Sequence, residues 1–282
     1  MQLKLKAHAK INLTLKVLGK RSDGYHQLET IMQSLELHDE LTIEQRKEGI
    51  ELSVQGAVPA GRDNLAYRAA EVIKRYTRCS KGCFIYLVKR IPVAAGLAGG
   101  STDAAAVLLG LNKLWDLGLT KQELLQLAEK LGADVPFCLW GGTALARGKG
   151  EELTPLPGAP EMGVVLVKPH FGVSTAEVYR GWAGACLGER PDTAAMIAAL
   201  QQGSIAGIAK NLANDLEYVT LQMHPQLQEI KEAVKKAGAD GVLMSGSGPT
   251  IFGLTDSEEQ AREIAGRLKI PGARVIATAT LS

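Results

Sequence analysis

From Leu3 to Val17 every odd-numbered residue is apolar and every even-numbered residue is polar or charged. A period of two places successive side chains on opposite faces of an extended chain, so this stretch reads as a strand with one buried face. It is long for one strand, and a bulge or break is expected near His8 to Lys10. Lys10 and Asn12 then share a side, turned to solvent or to a cleft. For most of these lysines a solvated sheet face accounts for the pattern.

A second stretch, Pro92-Val93-Ala94-Ala95-Gly96-Leu97-Ala98-Gly99-Gly100-Ser101-Thr102-Asp103, is built of small residues. It follows an apolar strand-like run, 84–91, and leads into a segment with a helical pattern up to about Trp115. A helix N-terminus presents unpaired N–H groups at the positive end of its dipole, where phosphates bind. Gly96, Gly99 and Gly100 permit close approach of a ligand to the backbone. Ser101 or Thr102 is expected to cap the helix, with Asp103 in its first turn. A plain connecting loop has the same outline, so two readings stay open. The helix is apolar on nearly every side through Val107, Leu108, Leu109, Leu111 and Leu114, which predicts burial. The loop is not a P-loop, because Ser101 and not lysine follows Gly100. It has no Gly-x-Gly, and Gly246-Ser247-Gly248 lacks the third glycine of a dinucleotide fingerprint. His-Arg-Asp and Asp-Phe-Gly, the marks of protein kinases, are absent.

At 282 residues the chain has room for about two domains. A net charge of +2, from 32 basic and 30 acidic residues, gives no reason to invoke nucleic acid or a membrane surface. Aromatic residues make up only 5%, too few for a stacking platform on single strands. Cys79, Cys83, Cys138 and Cys186 form no zinc pattern and read as reduced thiols of a cytoplasmic protein. Lys4, Lys6, His8 and Lys10 break any signal-peptide shape, and no apolar run approaches the roughly 20 residues of a membrane span. No metal-ligand spacing links His8, His38, His170 and His224.

Between these landmarks the pattern predicts a hairpin around Lys47-Glu48-Gly49 and a helix opened by Asp63-Asn64. Thr120 and Glu123 form a capping box. Asp134, between a helix end and the apolar run 135–140, has the position of a cap or turn residue. The proline-dense stretch 153–160 suggests a boundary dividing the chain into 1–157 and 158–282. Beyond it come a strand at 162–168, helices opened by Ser174-Thr175 and Asp192, and helical patterns through 205–221. Pro225 opens a helix that stops at Gly238. A strand at 241–244, the loop Ser245-Gly246-Ser247-Gly248-Pro249, a strand at 250–254, a helix at 257–268 and a strand at 274–280 complete the chain. Strands at both ends with helices between them argue for an α+β half with an antiparallel sheet.

Pro92-x-Ala-Ala-Gly96-Leu97-x-Gly99-Gly100-Ser101 resembles the phosphate loop of the GHMP kinases, and Ser245-Gly246-Ser247-Gly248-Pro249 resembles their glycine-rich third motif. Ala9-Lys10-Ile11-Asn12-Leu13, Arg21-x-Asp23-Gly24-Tyr25-His26-x-Leu28-x-Thr30 and Gly132-Ala133-Asp134-Val135-Pro136-Phe137 resemble one branch of that superfamily. So does Asn214-Asp215-Leu216-Glu217. The acceptor of that branch is 4-diphosphocytidyl-2-C-methyl-D-erythritol, in the non-mevalonate route to isoprenoids.

The resemblance implies an α+β, two-domain GHMP kinase fold, with a ribosomal-S5-domain-2-like N-terminal half and a ferredoxin-like C-terminal half. It implies Asp134 as general base toward the 2-hydroxyl of the acceptor, with Lys10 beside it, orienting it and steadying charge on the phosphoryl group. Tyr25 would stack on the cytosine, Tyr179 on its other face, and His26 would hydrogen-bond its edge. Asn12 and Thr175 would contact the substrate. The run Pro92, Val93, Ala94, Ala95, Gly96, Leu97, Ala98, Gly99, Gly100, Ser101, Thr102 would bind ATP, with Asn64 toward the adenine. Mg²⁺ would bridge the phosphates with few protein ligands. Neither nucleic acid nor membrane is implied as a partner, and the state expected is a monomer or weak homodimer. Ala98 stands where the family loop often has glycine, which a negative φ would accommodate. Thr102 replaces a common serine and keeps the hydroxyl. Without the resemblance, Tyr25 and His26 read as packing residues of a turn. The rivals are another GHMP kinase, acting on mevalonate, homoserine or a sugar, and a non-catalytic nucleotide-binding protein on the same scaffold.

Overall fold

The N-terminal alternation forms one uninterrupted strand, β1 (Gln2–Lys20), with no break at His8 to Lys10. What changes there is the cover. Up to His8 every residue but Ala7 keeps some exposure, whereas Ala9 through Leu15 are all buried. The computed structural model describes residues 1–182 and 190–281, so Cys186 lies outside the described residues. It divides into two compact units. One comprises Met1–Ala9, Leu37–Val93 and Ala98–Gly141, the other Lys10–Glu36, Ala94–Leu97 and Gly142–Ser282. β1 and the next strand, β2 (His26–Arg46), each contribute to both.

The first unit continues with β3 (Ile50–Gln55), α1 (Leu65–Thr77), β4 (Gly82–Val88), α2 (Gly99–Leu114), α3 (Lys121–Glu129) and α4 (Val135–Trp140). The hairpin expected around Lys47-Glu48-Gly49 does not form. β4 inserts between the two strands, antiparallel to β2 from Glu40↔Val88 to Arg46↔Gly82 and parallel to β3 from Ile50↔Cys83 to Gln55↔Val88. The intervening turn wraps the start of β4 instead. Cys83 N–H donates to the Gly49 carbonyl at 3.0 Å. A Cβ on Gly82 would lie 2.1 Å from the Glu48 carbonyl oxygen, so only glycine fits there. α2 lies directly on the sheet, since a Cβ on Gly110 would come within 2.6 Å of Leu5 and 2.7 Å of Ile43. It is buried on nearly every side, with Leu109 left exposed. Ile43, Ile73, Ile85, Leu108, Leu111 and Trp115 form the core, each large side chain worth about 1.5–3 kcal/mol of burial. Asn64 caps α1, and the Thr120–Glu123 capping box opens α3 as the spacing predicts.

The second unit holds β5 (Thr143–Gly148), β6 (Glu152–Pro155), β7 (Gly163–Pro169), α5 (Thr175–Gly181), α6 (Thr193–Gln201), α7 (Ile205–Lys210), β8 (Ala213–Asn214), α8 (Glu217–Met223), α9 (Gln226–Lys236), β9 (Gly241–Met244), β10 (Ile251–Thr255), α10 (Glu258–Arg267) and β11 (Ala273–Ala279). One sheet runs β8-β1-β2-β5-β6. The other, β11-β7-β10-β9, is antiparallel throughout, as expected. Leu227, Ile230 and Val234 of α9, with Ala261 and Ile264 of α10, join Val165 and Val167 of β7 in its core.

The helical pattern read through 205–221 is broken. Asn214 pairs with β1 as part of a short parallel strand, and its side-chain oxygen accepts from Leu216 N–H at 2.9 Å. The Asp215 carboxylate accepts from Val17 N–H at 2.8 Å and from Arg190 at 2.8 Å. Asn and Asp side chains compete with helical backbone bonds in this way.

Candidate active site

The glycine loop is contributed to both units, and its two ends are held differently. In the first unit α2 begins at Gly99, two residues before the hydroxyls expected to cap it. Its N-cap is Ala98, at φ 58° and with no side-chain cap bond. The negative φ expected of Ala98 is therefore not adopted, and a left-handed alanine costs about 1–2 kcal/mol. Ser101 and Thr102 lie inside the first turn, and Asp103 follows them. The helix start is set by the backbone path of the loop, not by a capping side chain.

Asp103 instead faces Lys89, whose ammonium lies 2.6 Å from its Oδ2 and also pairs with Asp39. Asp39 in turn accepts from the N–H groups of Arg90 at 2.5 Å and Ile91 at 2.8 Å. One buried network thus grips the residues just before Pro92 and the helix just after Thr102. Asp103 Oδ1 has no hydrogen-bond partner among the described residues. Burial pushes this acid up to about 7; Lys89 opposes the rise and the second carboxylate, Asp39, adds to it. The network joins positions far apart in sequence. Its one local signal is a lysine at the end of an apolar strand.

Asn64 is spent locally. Its oxygen accepts from Ala66 N–H at 2.9 Å and its nitrogen donates to the Pro59 carbonyl at 2.8 Å. A Cβ on Gly100 would lie 3.4 Å from Leu65, so the cap of α1 and the start of α2 are close. Asp134 occupies the N-cap position of α4 and is half-buried, but its side chain makes no cap bond.

In the second unit Lys10 and Asn12 share a face, as the period of two requires, but both are buried and neither reaches open solvent. Lys10 Nζ donates to Asn12 Oδ1 at 2.7 Å, and Lys10 N–H donates to the Leu97 carbonyl of the glycine loop at 3.2 Å. The third glycine-rich stretch meets the same loop, because Ser245 Oγ donates to the Gly96 carbonyl at 2.9 Å. Gly96 adopts φ 74°, and a Cβ there would lie 2.2 Å from the Ser245 carbonyl oxygen, so glycine is obligatory. Asn214 steadies this contact by donating to the carbonyls of Met244 at 2.9 Å and Gly246 at 2.8 Å. Thr175 Oγ1 and Ser247 Oγ are 2.8 Å apart.

Tyr25 is exposed, with Lys149 Nζ 4.7 Å from its ring centre. Its N–H donates to Asp23 at 3.1 Å, which fixes the turn. His26 stacks on Tyr179 with ring centres 4.8 Å apart, and Trp182 meets the imidazole edge-on at 5.8 Å. Partial burial, then the charge of Lys20, hold the His26 pKa below its ordinary value, which favours the neutral ring. Trp182 is an aromatic partner that sequence reasoning missed, although it follows Tyr179 at helical spacing. Among the described residues no three His, Cys, Asp or Glu side chains are grouped as metal ligands.

The GHMP kinases N terminal domain family matches residues 64–142, and the GHMP kinases C terminal family matches residues 196–274. The chain is 52% identical, over 98% of its length and 97% of the relative's, to the 4-diphosphocytidyl-2-C-methyl-D-erythritol kinase of Pelotomaculum thermopropionicum. It is 52% identical to the protein of the same name from Moorella thermoacetica, over 99% of each chain. It is similar to a crystal structure of 4-(cytidine 5'-diphospho)-2C-methyl-D-erythritol kinase, with a TM-score of 0.86, 40% identity and 99% of each chain covered. A homoserine kinase from Cytophaga hutchinsonii, 20% identical with a TM-score of 0.76 over 99% of this chain and 94% of its own, shares the fold. On these matches, which reach from end to end of the sequence, the chain belongs to the GHMP kinases.

Proposed function

We propose that the chain transfers the γ-phosphoryl group of ATP to the 2-hydroxyl of 4-diphosphocytidyl-2-C-methyl-D-erythritol, giving the 2-phosphate and ADP. What carries this reading is the 52% identity, over nearly the whole chain, to relatives named for that kinase. Phosphoryl transfer asks a protein mainly for positioning and for stabilisation of developing charge. In this reading Asp134 accepts the proton of the acceptor hydroxyl, and Lys10 supplies positive charge to the transferring group. The loop from Gly96 to Thr102 cradles the triphosphate on the first N–H groups of α2, and Asn64 lies toward the adenine side.

Tyr25 and Tyr179 enclose the cytosine and His26 reads its edge; a neutral imidazole suits that task, having one donor and one acceptor. Asn12 and Thr175 contact the rest of the acceptor. Mg²⁺ fits this site as an ion held mainly by phosphates and water. Ser101, in the first turn of α2 and only partly buried, carries a hard oxygen of the kind it takes. When bound with ATP it would neutralise phosphate charge. The division of the sequence at 157 goes with the same reading, since the two family matches fall on either side of it. We place the enzyme in the cytoplasm as a monomer or weak homodimer. Among the described residues no helix is long and apolar enough to cross a membrane.

A coupled ADP-release assay on the purified protein tests the assignment, with diphosphocytidyl-methylerythritol, mevalonate, homoserine and galactose offered side by side. Turnover with the first alone is expected. Turnover only with one of the other three would overturn it.

A further inference from the structure

We infer that Thr30 is a positioning residue for phosphoryl transfer, acting on Lys10 through the side chain of Asn12. The inference rests on the reading of Lys10 given above. The three side chains form a line of hydrogen bonds whose direction is set at both ends. The Lys10 ammonium only donates, so the Asn12 atom 2.7 Å from it must be the oxygen. At the other end the Thr14 carbonyl only accepts, and it lies 2.5 Å from Thr30 Oγ1. The Thr30 proton is committed there. What remains on its oxygen is a lone pair, which accepts from Asn12 Nδ2 at 2.9 Å.

Both ends therefore select the same orientation of the Asn12 amide, nitrogen toward Thr30 and oxygen toward Lys10. Lys10 and Asn12 are each 3% exposed and Thr30 2%, so bulk water offers no substitute partner. The anchor is itself fixed. Thr14 is fully buried, and its hydroxyl accepts from Ile31 N–H at 3.1 Å, which ties β1 to β2 beside Thr30. Thr30 is β-branched and stiff about χ1, so its hydroxyl does not wander.

A valine at this position keeps the shape and removes the acceptor. The Asn12 nitrogen then has no buried partner, and a turned amide would set its N–H groups against the Lys10 ammonium. Lys10 would lose the Asn12 oxygen as a fixed acceptor while keeping its charge. A misplacement of about 1 Å in a catalytic group costs up to roughly a hundredfold in rate.

Thr30→Val, Thr30→Ser and Lys10→Met, each in the full chain, are assayed for ADP release with diphosphocytidyl-methylerythritol, and thermal unfolding is followed by circular dichroism. Thr30→Val is expected to lower kcat by about 10- to 100-fold, well beyond any rise in either KM. Thr30→Ser, which restores the hydroxyl, is expected within about threefold of the parent. Should Thr30→Val not fold, Thr30→Cys takes its place, with a weaker acceptor of similar shape and an intermediate kcat. Parental kcat in Thr30→Val or Thr30→Cys, alongside an inactive Lys10→Met, overturns the role of Thr30 and leaves that of Lys10 standing. Near-parental turnover in Lys10→Met overturns the reading of Lys10 and this inference with it. A loss in Thr30→Val that Thr30→Ser does not restore, or that matches the fraction unfolded, shows a structural residue only and also overturns it.

Discussion

Lys89 Nζ lies 2.6 Å from Asp103 Oδ2, while the other oxygen of that carboxylate is buried with no hydrogen-bond partner among the described residues. Burial lifts the acid from 3.8 to about 7 in the folded chain, with Lys89 pulling against the rise. The folded state thus keeps a proton, between about pH 4 and 7, that the unfolded chain has released. Stability from this group is present at the acid end of that window and is lost as pH rises through it. Denaturant titrations of the parent and Asp103→Asn at several pH values test this. The stability of the parent relative to the variant is expected to fall by more than about 1 kcal/mol from pH 4 to pH 7. A difference that holds constant or grows would remove the shift.

Ala98 occupies the left-handed region at φ 58°. Glycine adopts that conformation without a Cβ penalty, although it adds entropy to the unfolded chain. Ala98→Gly is therefore expected to stabilise by up to about 1 kcal/mol, a rise in Tm of roughly 2–4 °C for a chain of this size. A fall in Tm by calorimetry would mean that the methyl group packs better than the strain costs.

Asp134→Asn keeps the shape of the side chain and removes its basicity. General-base catalysis is worth about 10²–10⁴ in rate, so kcat should drop by that factor while calorimetry still detects acceptor binding. Turnover close to that of the parent would take the proton-acceptor role from Asp134.

Tyr25 stands exposed in its turn, with the Lys149 ammonium near its ring. Stacking of a base on an aromatic ring is worth about 1–3 kcal/mol, or roughly 5- to 150-fold in affinity. Tyr25→Ala should raise KM for the cytidine-bearing acceptor by such a factor and leave KM for ATP nearly unchanged. An equal loss for both substrates would contradict the stacking.

What the sequence reveals here is mostly what a few neighbouring residues decide. The alternation of β1, the Asn64 cap and the Thr120–Glu123 capping box depend on residues within one or two turns of each other, and the structure shows all of them. The partner of β3 does not. Lys47-Glu48-Gly49 has hairpin chemistry, yet β4, from farther along the chain, takes the place beside it. The start of α2 is not legible, because hydroxyls usually mark caps, whereas the loop enters this helix through a left-handed alanine. The pairing of Asp39 with Lys89 is not legible, because a lysine at a strand end does not say which carboxylate fifty positions away will meet it. In the second unit the stacking of His26 on Tyr179 is announced neither by spacing, since more than a hundred residues separate them, nor by the resemblance, which implies each only as a contact of the cytosine.

The interleaving of the two units bears on how the chain is made. Val17 meets Asp215 across 198 positions, and Gln33 meets Leu281 across 248. The segment Lys10–Glu36 leaves the ribosome early, but its partners in the second unit are made later, from Thr143 to Leu281. At about 5–20 residues per second the wait lasts on the order of ten seconds or more. Through that interval two long strands have edges open to pairing with other nascent chains, a situation that favours aggregation. A polypeptide cut at residue 157 would lack Asp215 and Leu281, and would leave the Val17 N–H and the Gln33 amide without these acceptors.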